Sequence, residues 1–244
     1  MMYGELCTKF YDADKQFAST EEIYFYKKLF NNNDLLLEPM CGSGRLLIPL
    51  MQAGFTIHGI DNSSEMLKSC KKRASELGLQ PILYENAVEN IKLPQKYDGI
   101  IIPLGSFQLF YPRGDAYHAL EKFKEHLKPK GKLVMDLFVP WDALYEHNEE
   151  ERSEREVKTS SNSVIKINNY SIANKYEQFI ISKTKYTEII NDKIVNQEEE
   201  QMYVAWYYRY EMELILEKFG FKNIRYEDRF LNKENHMTFI AEVA

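Results

Sequence analysis

The sequence predicts an α/β domain in which helices cover both faces of a mostly parallel sheet. Short apolar runs alternate with helix-like segments from Ser19 to about Leu127, which is the order of a parallel sheet with crossover helices. The alternation stops after Trp141 and resumes at about Tyr210. A chain of 244 residues fits one domain of this kind with an insertion. We therefore expect a single domain over residues 1–244.

The first part of the chain contains strand and helix signals in regular succession. Ser19 and Glu22 form a possible capping box for a helix through Phe30, and Gly54 and Gly78 follow the ends of two further predicted helices. The predicted strands are 35–38, 56–60, 81–85, 97–102 and 132–139, and the later helices are 45–53, 64–77 and 115–127.

The insertion, residues 141–206, has a different pattern. After a charged run at 149–156, β-branched and aromatic residues mix with polar ones at 164–170, 176–190 and 193–207. This pattern is typical of antiparallel strands with one solvated face. The acidic triplets 149–151 and 198–200 are predicted to lie on solvated faces. A helix at 210–219 and strands at 222–230 and 237–243 complete the predicted elements.

Composition and charge narrow the class of protein. The formal net charge of −6 disfavours a nucleic-acid partner, because phosphate backbones carry negative charge. No apolar run approaches the ~20 residues of a membrane span, and the first residues lack the pattern of a secretory signal. The odd, widely spaced Cys7, Cys41 and Cys70 predict neither disulfides nor a zinc site, and the histidines suggest no other metal. A reducing cytoplasm fits best.

The most informative segment runs from Leu37 to Arg45, a strand followed by a glycine loop and a helix. Glycines at 42 and 44 allow a ligand to approach the backbone, and free amides at a helix start favour an anionic group. Such a loop fits a nucleotide or nucleoside-like cofactor, although Gly-x-Gly alone also fits a tight turn. Leu47 stands where a dinucleotide-binding loop has its third glycine, which makes NAD the lesser alternative.

Two acidic residues follow the first two strands. Glu38 precedes Gly42 by four residues, where it can order the loop or help to neutralise a cationic amine. Asp61 ends the second strand, where it can accept two hydrogen bonds from a ribose diol. Asp61 can also cap the helix that begins after Ser63. The residues favour a nucleoside-like cofactor but leave this alternative open.

These motifs resemble the class I S-adenosylmethionine-dependent methyltransferases, and the resemblance spans nearly the whole chain. It implies a Rossmann-like sheet of seven strands and S-adenosylmethionine as the cofactor. The loop from Glu38 to Gly44 would cradle the methionine part, Asp61 would take the ribose hydroxyls, and Asn86 would contact adenine. Met40 and Asn86 depart from the glycine and aspartate frequent in the family. The predicted cofactor-binding residues are Tyr11, Glu38, Met40, Gly42, Gly44, Asp61, Asn62, Met66, Asn86, Ala87 and Leu104.

The same resemblance indicates a small-molecule nitrogen or oxygen acceptor. The fourth strand runs into Leu104-Gly105-Ser106-Phe107, without the Asp/Asn-Pro-Pro-Tyr/Phe or Pro-Cys signatures of enzymes that act on bases. In similar enzymes the insertion forms a platform over the acceptor site, and an N-terminal region, here 1–31, supplies a lid. The predicted acceptor-binding residues are Ser106, Phe107, Trp206 and Arg209, and the candidate bases are Tyr11, His118, Asp136 and Tyr207.

Several alternatives stay open at this stage. The aromatics from Trp206 to Tyr210 can simply pack the insertion onto the main sheet, and direct methyl transfer needs no base. The protein could bind S-adenosylmethionine or its demethylated product without catalysis and act through protein contacts. An RNA methyltransferase would need a basic face beside the cofactor. Both a monomer and a homodimer are compatible with the sequence.

Overall fold

Two β-sheets organise the part of the chain that the computed structural model describes, residues 3–15, 17–145, 150–159, 163–228 and 236–244. The helices are α1 (Glu5–Asp14), α2 (Thr20–Leu29), α3 (Leu47–Gln52), α4 (Ser64–Glu76), α5 (Arg113–His126), α6 (Trp141–Tyr145) and α7 (Arg209–Lys218). The strands are β1 (Leu35–Pro39), β2 (Thr56–Asp61), β3 (Ile82–Glu85), β4 (Tyr97–Ile102), β5 (Leu127–Phe138), β6 (Glu150–Lys158), β7 (Val164–Asn174), β8 (Phe179–Ile190), β9 (Lys193–Ala205), β10 (Phe221–Asp228) and β11 (His236–Val243).

The larger sheet confirms the predicted Rossmann-like fold. Its seven strands lie in the order β10-β11-β5-β4-β1-β2-β3, and β11 runs antiparallel to both of its neighbours. The strands from β1 to β5 are parallel to one another. The strand order reverses between β1 and β4, and ligands of open α/β sheets bind beyond the carboxyl ends of the strands at such a point.

Each central strand contributes to a core on both faces of this sheet. Leu36 packs with α2, α3 and α4, whereas its neighbour Leu37 packs with α5 and α7. Ile101 and Ile102 divide between the two cores in the same way. This division follows from the two-residue period of a strand, and it explains why these strands are continuous apolar runs in the sequence.

The smaller sheet contains β6, β7, β8 and β9 in sequential antiparallel order. Its first strand, β6, lies in the charged run, and its side chains are mostly exposed, including Glu150 and Glu151 of the first acidic triplet. Backbone pairing with β7 makes it a strand despite its charge, since charged residues are common on edge strands. Residue 149 lies outside the described residues. No helix among those described is long and apolar enough to cross a membrane.

The prediction for the second acidic triplet was wrong at two of its three positions. Glu198 and Glu200 turn towards α1, while Glu199 between them is exposed. The alternation of a strand separates the three side chains in this way. Most predicted element boundaries lie within four residues of the observed ones, except that β5 begins at Leu127 instead of 132. The predicted strand 222–230 ends outside the described residues.

Candidate active site

A cavity of about 870 Å³ lies where the carboxyl ends of β1, β2 and β4 meet α1 and the smaller sheet. Its walls come from eight parts of the chain that are separated in sequence, so the fold creates the site. The lining residues are Tyr3, Tyr11, Lys15, Met40, Gly42, Asp61, Asn62, Met66, Asn86, Val88, Glu89, Leu104, Gly105, Ser106, Leu109, Phe110, Tyr111, Asp115, Phe138, Gln201, Met202, Tyr203, Val204 and His236.

The glycine loop after β1 presents its backbone to this cavity. Gly42 has φ +53°, and a Cβ built there would have Met66 Sδ as its nearest neighbour at 3.8 Å, so the space in front of it is open. A Cβ on Gly44 would lie 2.6 Å from Cys70 Sγ, so Gly44 allows the loop to pack on α4 and does not line the cavity. Met40 adopts φ +57°, a conformation that costs a non-glycine residue about 1–2 kcal/mol.

Asp61 connects the loop to the end of β2. Its Oδ2 accepts a hydrogen bond from Gly42 N–H at 2.8 Å, and its Oδ1 accepts one from Ser63 N–H at 2.9 Å. Burial raises the pKa of this carboxyl, while the backbone N–H donors lower it. Ser63 itself caps α4 by accepting from Met66 N–H. Asp61 therefore does order the start of α4, as the alternative interpretation suggested, and its oxygens retain lone pairs for a ligand.

Glu38 lies beneath the loop, not on the cavity wall. It is 2% exposed, and its Oε2 has no hydrogen-bond partner among the described residues. Burial raises the pKa of Glu38 well above its usual range, although the nearby Arg45 opposes that shift. Arg45 is held in a bidentate ion pair with Glu22 of α2, at 2.6 and 2.8 Å. An unsatisfied buried carboxyl is costly, so this oxygen suggests a place for a donor that a ligand supplies.

Some of the residues predicted to bind the adenosine part of the cofactor line the cavity, and one does not. Asn62, Met66 and Asn86 line the cavity, and the Asn86 N–H donates to the Asp61 carbonyl at 3.0 Å. Ala87 starts a short 3-10 turn and does not line the cavity. The structure thus brings the polar ends of β2 and β3 to one wall, as the strand order requires.

The loop after β4 is held in place by a buried carboxyl. Leu104 lines the cavity with φ +54°, and its N–H donates to Asp136 Oδ2 at 3.2 Å. The other oxygen of Asp136 accepts from Thr238 at 2.8 Å. Burial raises the pKa of Asp136 to about 6. Because Asp136 does not line the cavity, it supports the loop and is not placed as a catalytic base.

Helix α1 covers one side of the cavity and is fastened at both ends. Tyr3 and Tyr11 line the cavity from this region. Near its C-terminal end, Asp12 accepts hydrogen bonds from Ser69 at 2.5 Å and Arg73 at 3.1 Å, both on α4. Arg73 also donates to Ser43 Oγ of the glycine loop at 2.8 Å. The helix and the loop therefore share an anchor.

The N-terminal end of α1 is anchored by the smaller sheet. Glu198 of β9 accepts hydrogen bonds from the Leu6 and Cys7 N–H groups at 2.9 and 3.3 Å. A carboxylate at a helix N-terminus satisfies amides that have no partner within the helix. Nearby, Glu200 accepts from the Tyr186 hydroxyl at 2.5 Å. This lid region thus depends on residues that the sequence predicted to be solvated.

The predicted acceptor residues are only partly at the cavity. Ser106 lines it, whereas Phe107 and Trp206 have no exposed surface and belong to the main core. The reason is that β9 ends at Ala205, so the chain turns inward at Trp206. Arg209 does not line the cavity either; it forms an ion pair with Glu213 and stacks on Tyr226.

The candidate bases are separated by the structure in the same manner. Tyr11 lines the cavity, and burial raises the pKa of its hydroxyl, which therefore stays protonated at neutral pH. Tyr207 is fully buried, and burial raises its pKa to about 12. His118 is exposed on α5 and does not line the cavity.

Sequence reasoning missed most of the aromatic wall. Phe110 and Tyr111 come from the loop after β4, Phe138 ends β5, and Tyr203 lies on β9. The Tyr111 and Tyr203 rings stack with centroids 4.6 Å apart. The aromatic pair before Pro112 was a usable signal, since it follows a strand whose carboxyl end faces the site. Tyr203 could not be assigned without knowing which side of β9 faces the main sheet.

Gln108 joins the two sheets behind this wall. Its Nε2 donates to the carbonyls of Phe138 and Ala205, at 2.9 and 2.7 Å, and its Oε1 accepts from the Phe138 N–H at 2.7 Å. The side chain is completely buried. The ends of β5 and β9 are therefore held together by one amide group.

Comparisons with known proteins agree with this arrangement. The model of a methyltransferase-domain family matches residues 36–131. A curated relative, a putative methyltransferase from Bacillus subtilis (strain 168), is 30% identical over 104 residues, which are 42% of this chain and 41% of the relative. The alignments span about half the length, or less, of the curated relatives that the chain matches.

Solved structures resemble the chain over much more of its length. An S-adenosylmethionine-dependent methyltransferase from Clostridium acetobutylicum has a TM-score of 0.77 at 18% identity, covering 96% of each chain. A sugar N-methyltransferase from Streptoalloteichus has a TM-score of 0.75 at 14% identity, covering 94% of this chain and 88% of its own. The similarity of fold therefore includes both sheets.

Proposed function

We propose that the protein is a class I, S-adenosylmethionine-dependent methyltransferase that methylates a nitrogen or oxygen atom of a small molecule, and the methyltransferase-domain model that matches residues 36–131 supports this. One observation carries the proposal. The cavity is continuous from the glycine loop and Asp61 to the aromatic wall of Phe110 and Tyr203. Its volume of about 870 Å³ is near the upper end of ligand pockets, so it offers room for a cofactor and an acceptor together.

The residues at the loop fit S-adenosylmethionine. The open space at Gly42 lets a ligand approach the backbone. The unsatisfied Glu38 oxygen lies behind the loop and would accept from the ammonium of the methionine part only once the loop shifts to expose it. The remaining lone pairs of Asp61 fit the ribose hydroxyls, and Asn86 fits the adenine edge through an amide that can donate or accept. These roles, and that of Met66 beside Gly42, are proposals for this chain.

When bound, S-adenosylmethionine would supply a methyl group on a sulfonium; the acceptor's lone pair bonds to that carbon in line as the carbon–sulfur bond breaks, which leaves S-adenosylhomocysteine. The contribution of the protein is alignment, which is worth up to about 7–11 kcal/mol in well-oriented reactions. Leu104 and Ser106 border the cavity from the loop that Asp136 holds, and Tyr11 covers it from α1. A protonated Tyr11 can donate a hydrogen bond to a polar group of the acceptor other than the attacking atom, whose lone pair must stay free. An amine that has already lost its proton needs no base.

The charge of the cavity supports a small acceptor over a nucleic acid. Its lining includes the carboxylates of Asp61, Glu89 and Asp115, with Lys15 as the one lysine or arginine among the described lining residues. Such a surface repels phosphates and attracts a cationic amine, which must lose its proton to solvent before its lone pair can attack the methyl group. The aromatic wall adds about 0.5–2 kcal/mol for each cation–π contact. The similarity to a sugar N-methyltransferase points to the same acceptor class.

Calorimetry and a methyl-transfer assay test the proposal together. S-adenosylmethionine and S-adenosylhomocysteine are expected to bind in the micromolar range, and NAD not to bind. With a methyl-labelled cofactor, label should appear in members of a panel of small amines and alcohols. Tighter binding of NAD would overturn the cofactor assignment. Cofactor binding with no transfer to any panel member, or transfer only to RNA, would favour the non-catalytic or the RNA alternative.

A further inference from the structure

The edge of β9 that faces away from β8 has properties of a binding site. In the described part of the chain, β9 pairs with β8 alone, so its other edge has no strand beside it. Four successive residues, Gln201 to Val204, line the cavity. Successive side chains of a strand point to opposite faces of its sheet. A run of four lining residues therefore indicates that the free edge of β9, with its backbone groups, is turned to the cavity.

The strand register determines which backbone groups point outward. The Trp206 N–H donates to the Gln178 carbonyl at 3.0 Å, so this group points towards the β8 side. Pairs along an antiparallel ladder alternate between hydrogen-bonded and non-hydrogen-bonded positions. The N–H and C=O groups of Tyr203 and Ala205 therefore point away from β8. The Ala205 carbonyl agrees with this register, because it accepts a hydrogen bond from Gln108, on the side away from β8, at 2.7 Å.

Tyr203 is the next outward position along this edge. Its N–H and C=O lie side by side, and neither has a hydrogen-bond partner among the residues that the structure describes. Its ring is held by Tyr111 at 4.6 Å and by Phe179 at 5.7 Å between centroids. The contacts of the Tyr203 ring and the Gln108 amide hold this part of β9 in place. The N–H and C=O of Tyr203 are therefore already oriented, which lowers the entropy lost when a ligand binds.

We propose that this edge binds the methyl acceptor through the backbone N–H and C=O of Tyr203, and that the acceptor is an amine carrying an amide, such as an amino-acid amide or a short peptide. This inference rests on the proposed function. An extended amino-acid residue offers one C=O and one N–H that match those of Tyr203, as in strand addition to a sheet edge. The nearby Phe110 and Phe138 suit an apolar side chain better than a ring of hydroxyls, which would need more polar partners.

The test compares two variants at one position in the full-length protein. Tyr203→Ala and Tyr203→Pro both remove the ring, but only proline removes the outward N–H. Because that N–H makes no bond to β8, proline is tolerated there as it is on other edge strands. Transfer of labelled methyl is measured for two probe classes, alaninamide and dialanine amide on one side, and propylamine and glucosamine on the other. Calorimetry with S-adenosylmethionine and thermal unfolding verify cofactor binding and folding.

The wild-type protein is expected to methylate the amide probes with a kcat/KM at least tenfold above that for the amide-free probes. Tyr203→Ala should lower both values and keep their ratio, whereas Tyr203→Pro should lower the ratio at least fivefold. An equal ratio in the two variants, a preference for glucosamine, or cofactor binding without turnover of any amide probe would overturn the edge proposal. Failure to bind S-adenosylmethionine at all would instead overturn the proposed function. If Tyr203→Pro does not fold, the wild-type protein decides the question, and a preference for the amide probes of less than tenfold would overturn the edge proposal.

Discussion

The two ends of the cavity are built by different means. At the glycine-loop end, backbone groups and buried polar side chains define the wall, with Asp61 fixing Gly42 and Asp136 fixing Leu104. At the other end, aromatic side chains from separate elements meet, and Gln108 joins the two sheets behind them. The first end is built from the loops of the larger sheet, with α1 bonded to the glycine loop through Arg73, whereas the second end exists only when the smaller sheet is docked.

This difference separates two kinds of sensitivity. Changes at the loop end should alter cofactor affinity, because the groups there are charged or backbone-bonded and have few substitutes. Changes at the aromatic end should alter acceptor turnover and the attachment of the smaller sheet. If the two ends are independent, a variant at one end should leave the property that depends on the other end unchanged.

A variant at Phe107 distinguishes the role of the core from that of the aromatic wall. Phe107 has no exposed surface and packs in the main core, so Phe107→Ala should lower the free energy of unfolding by about 3–5 kcal/mol. Urea unfolding measures this loss. Tyr203→Ala, on the cavity wall, is the matched control and should lower stability less while reducing turnover more. A stable Phe107→Ala variant with impaired turnover would place this ring at the acceptor after all.

Asp61 tests the loop end. Asp61→Ala should weaken S-adenosylmethionine binding by about 2–4 kcal/mol, since it removes two bonds to a charged group together with the support of Gly42. Titration calorimetry measures the affinity, and thermal unfolding verifies that the variant is folded. Ser106→Ala, which removes a hydroxyl bonded to the Pro103 carbonyl, serves as the control and should leave the affinity within about twofold. An unchanged affinity in Asp61→Ala would leave the residue as a helix cap only.

Asp136, which holds the loop after β4, should make the free energy of unfolding depend on pH. Burial raises its pKa to about 6 in the folded protein, above its unfolded value, so the folded state holds a proton that the unfolded state has lost. This contribution to stability is present at pH below ~4 and is lost as the pH rises through about 6, by on the order of 3 kcal/mol. Asp136→Asn should flatten the curve of unfolding free energy against pH between 4 and 6. A curve identical to that of the wild type would exclude this carboxyl as its source.

Glu198 has the smallest expected effect and tests whether the lid belongs to the loop end or the acceptor end. Glu198→Ala should cost about 0.5–2 kcal/mol, the usual range for a lost helix cap, and should speed hydrogen exchange at Leu6 and Cys7. Cofactor dissociation should be faster by stopped flow, because α1 covers the cavity. Glu199→Ala is the control, since Glu199 is exposed on the same strand. Equal exchange rates in the two variants would show that Glu198 does not hold the N-terminal end of the helix.

How much the sequence could predict follows the same division. The positions of the strands, the glycine loop and the place of Asp61 at the end of a strand could be predicted because local signals fix them: apolar runs, glycines and acids that end strands. The resemblance to S-adenosylmethionine-dependent methyltransferases was confirmed by the matched domain and the shared fold. Phe107 and Trp206 were misplaced because an aromatic residue near a site looks the same in sequence whether it faces the cavity or the core. Glu198 was missed since its partners are the amides of a helix about 190 residues away.

That separation also has a consequence for how the protein is made. The Leu6 N–H group and the Glu198 carboxylate that accepts its hydrogen bond are 192 positions apart in the chain. Contacts between such distant positions form late, because the loop that they close must first be brought together. During synthesis, residues 36–131 emerge long before β9, so the glycine loop can fold while α1 has only α4 to pack on. We expect a ribosome-bound chain that stops before β9 to bind the cofactor weakly and release it quickly, and the chain to gain retention only when its last third has left the exit tunnel.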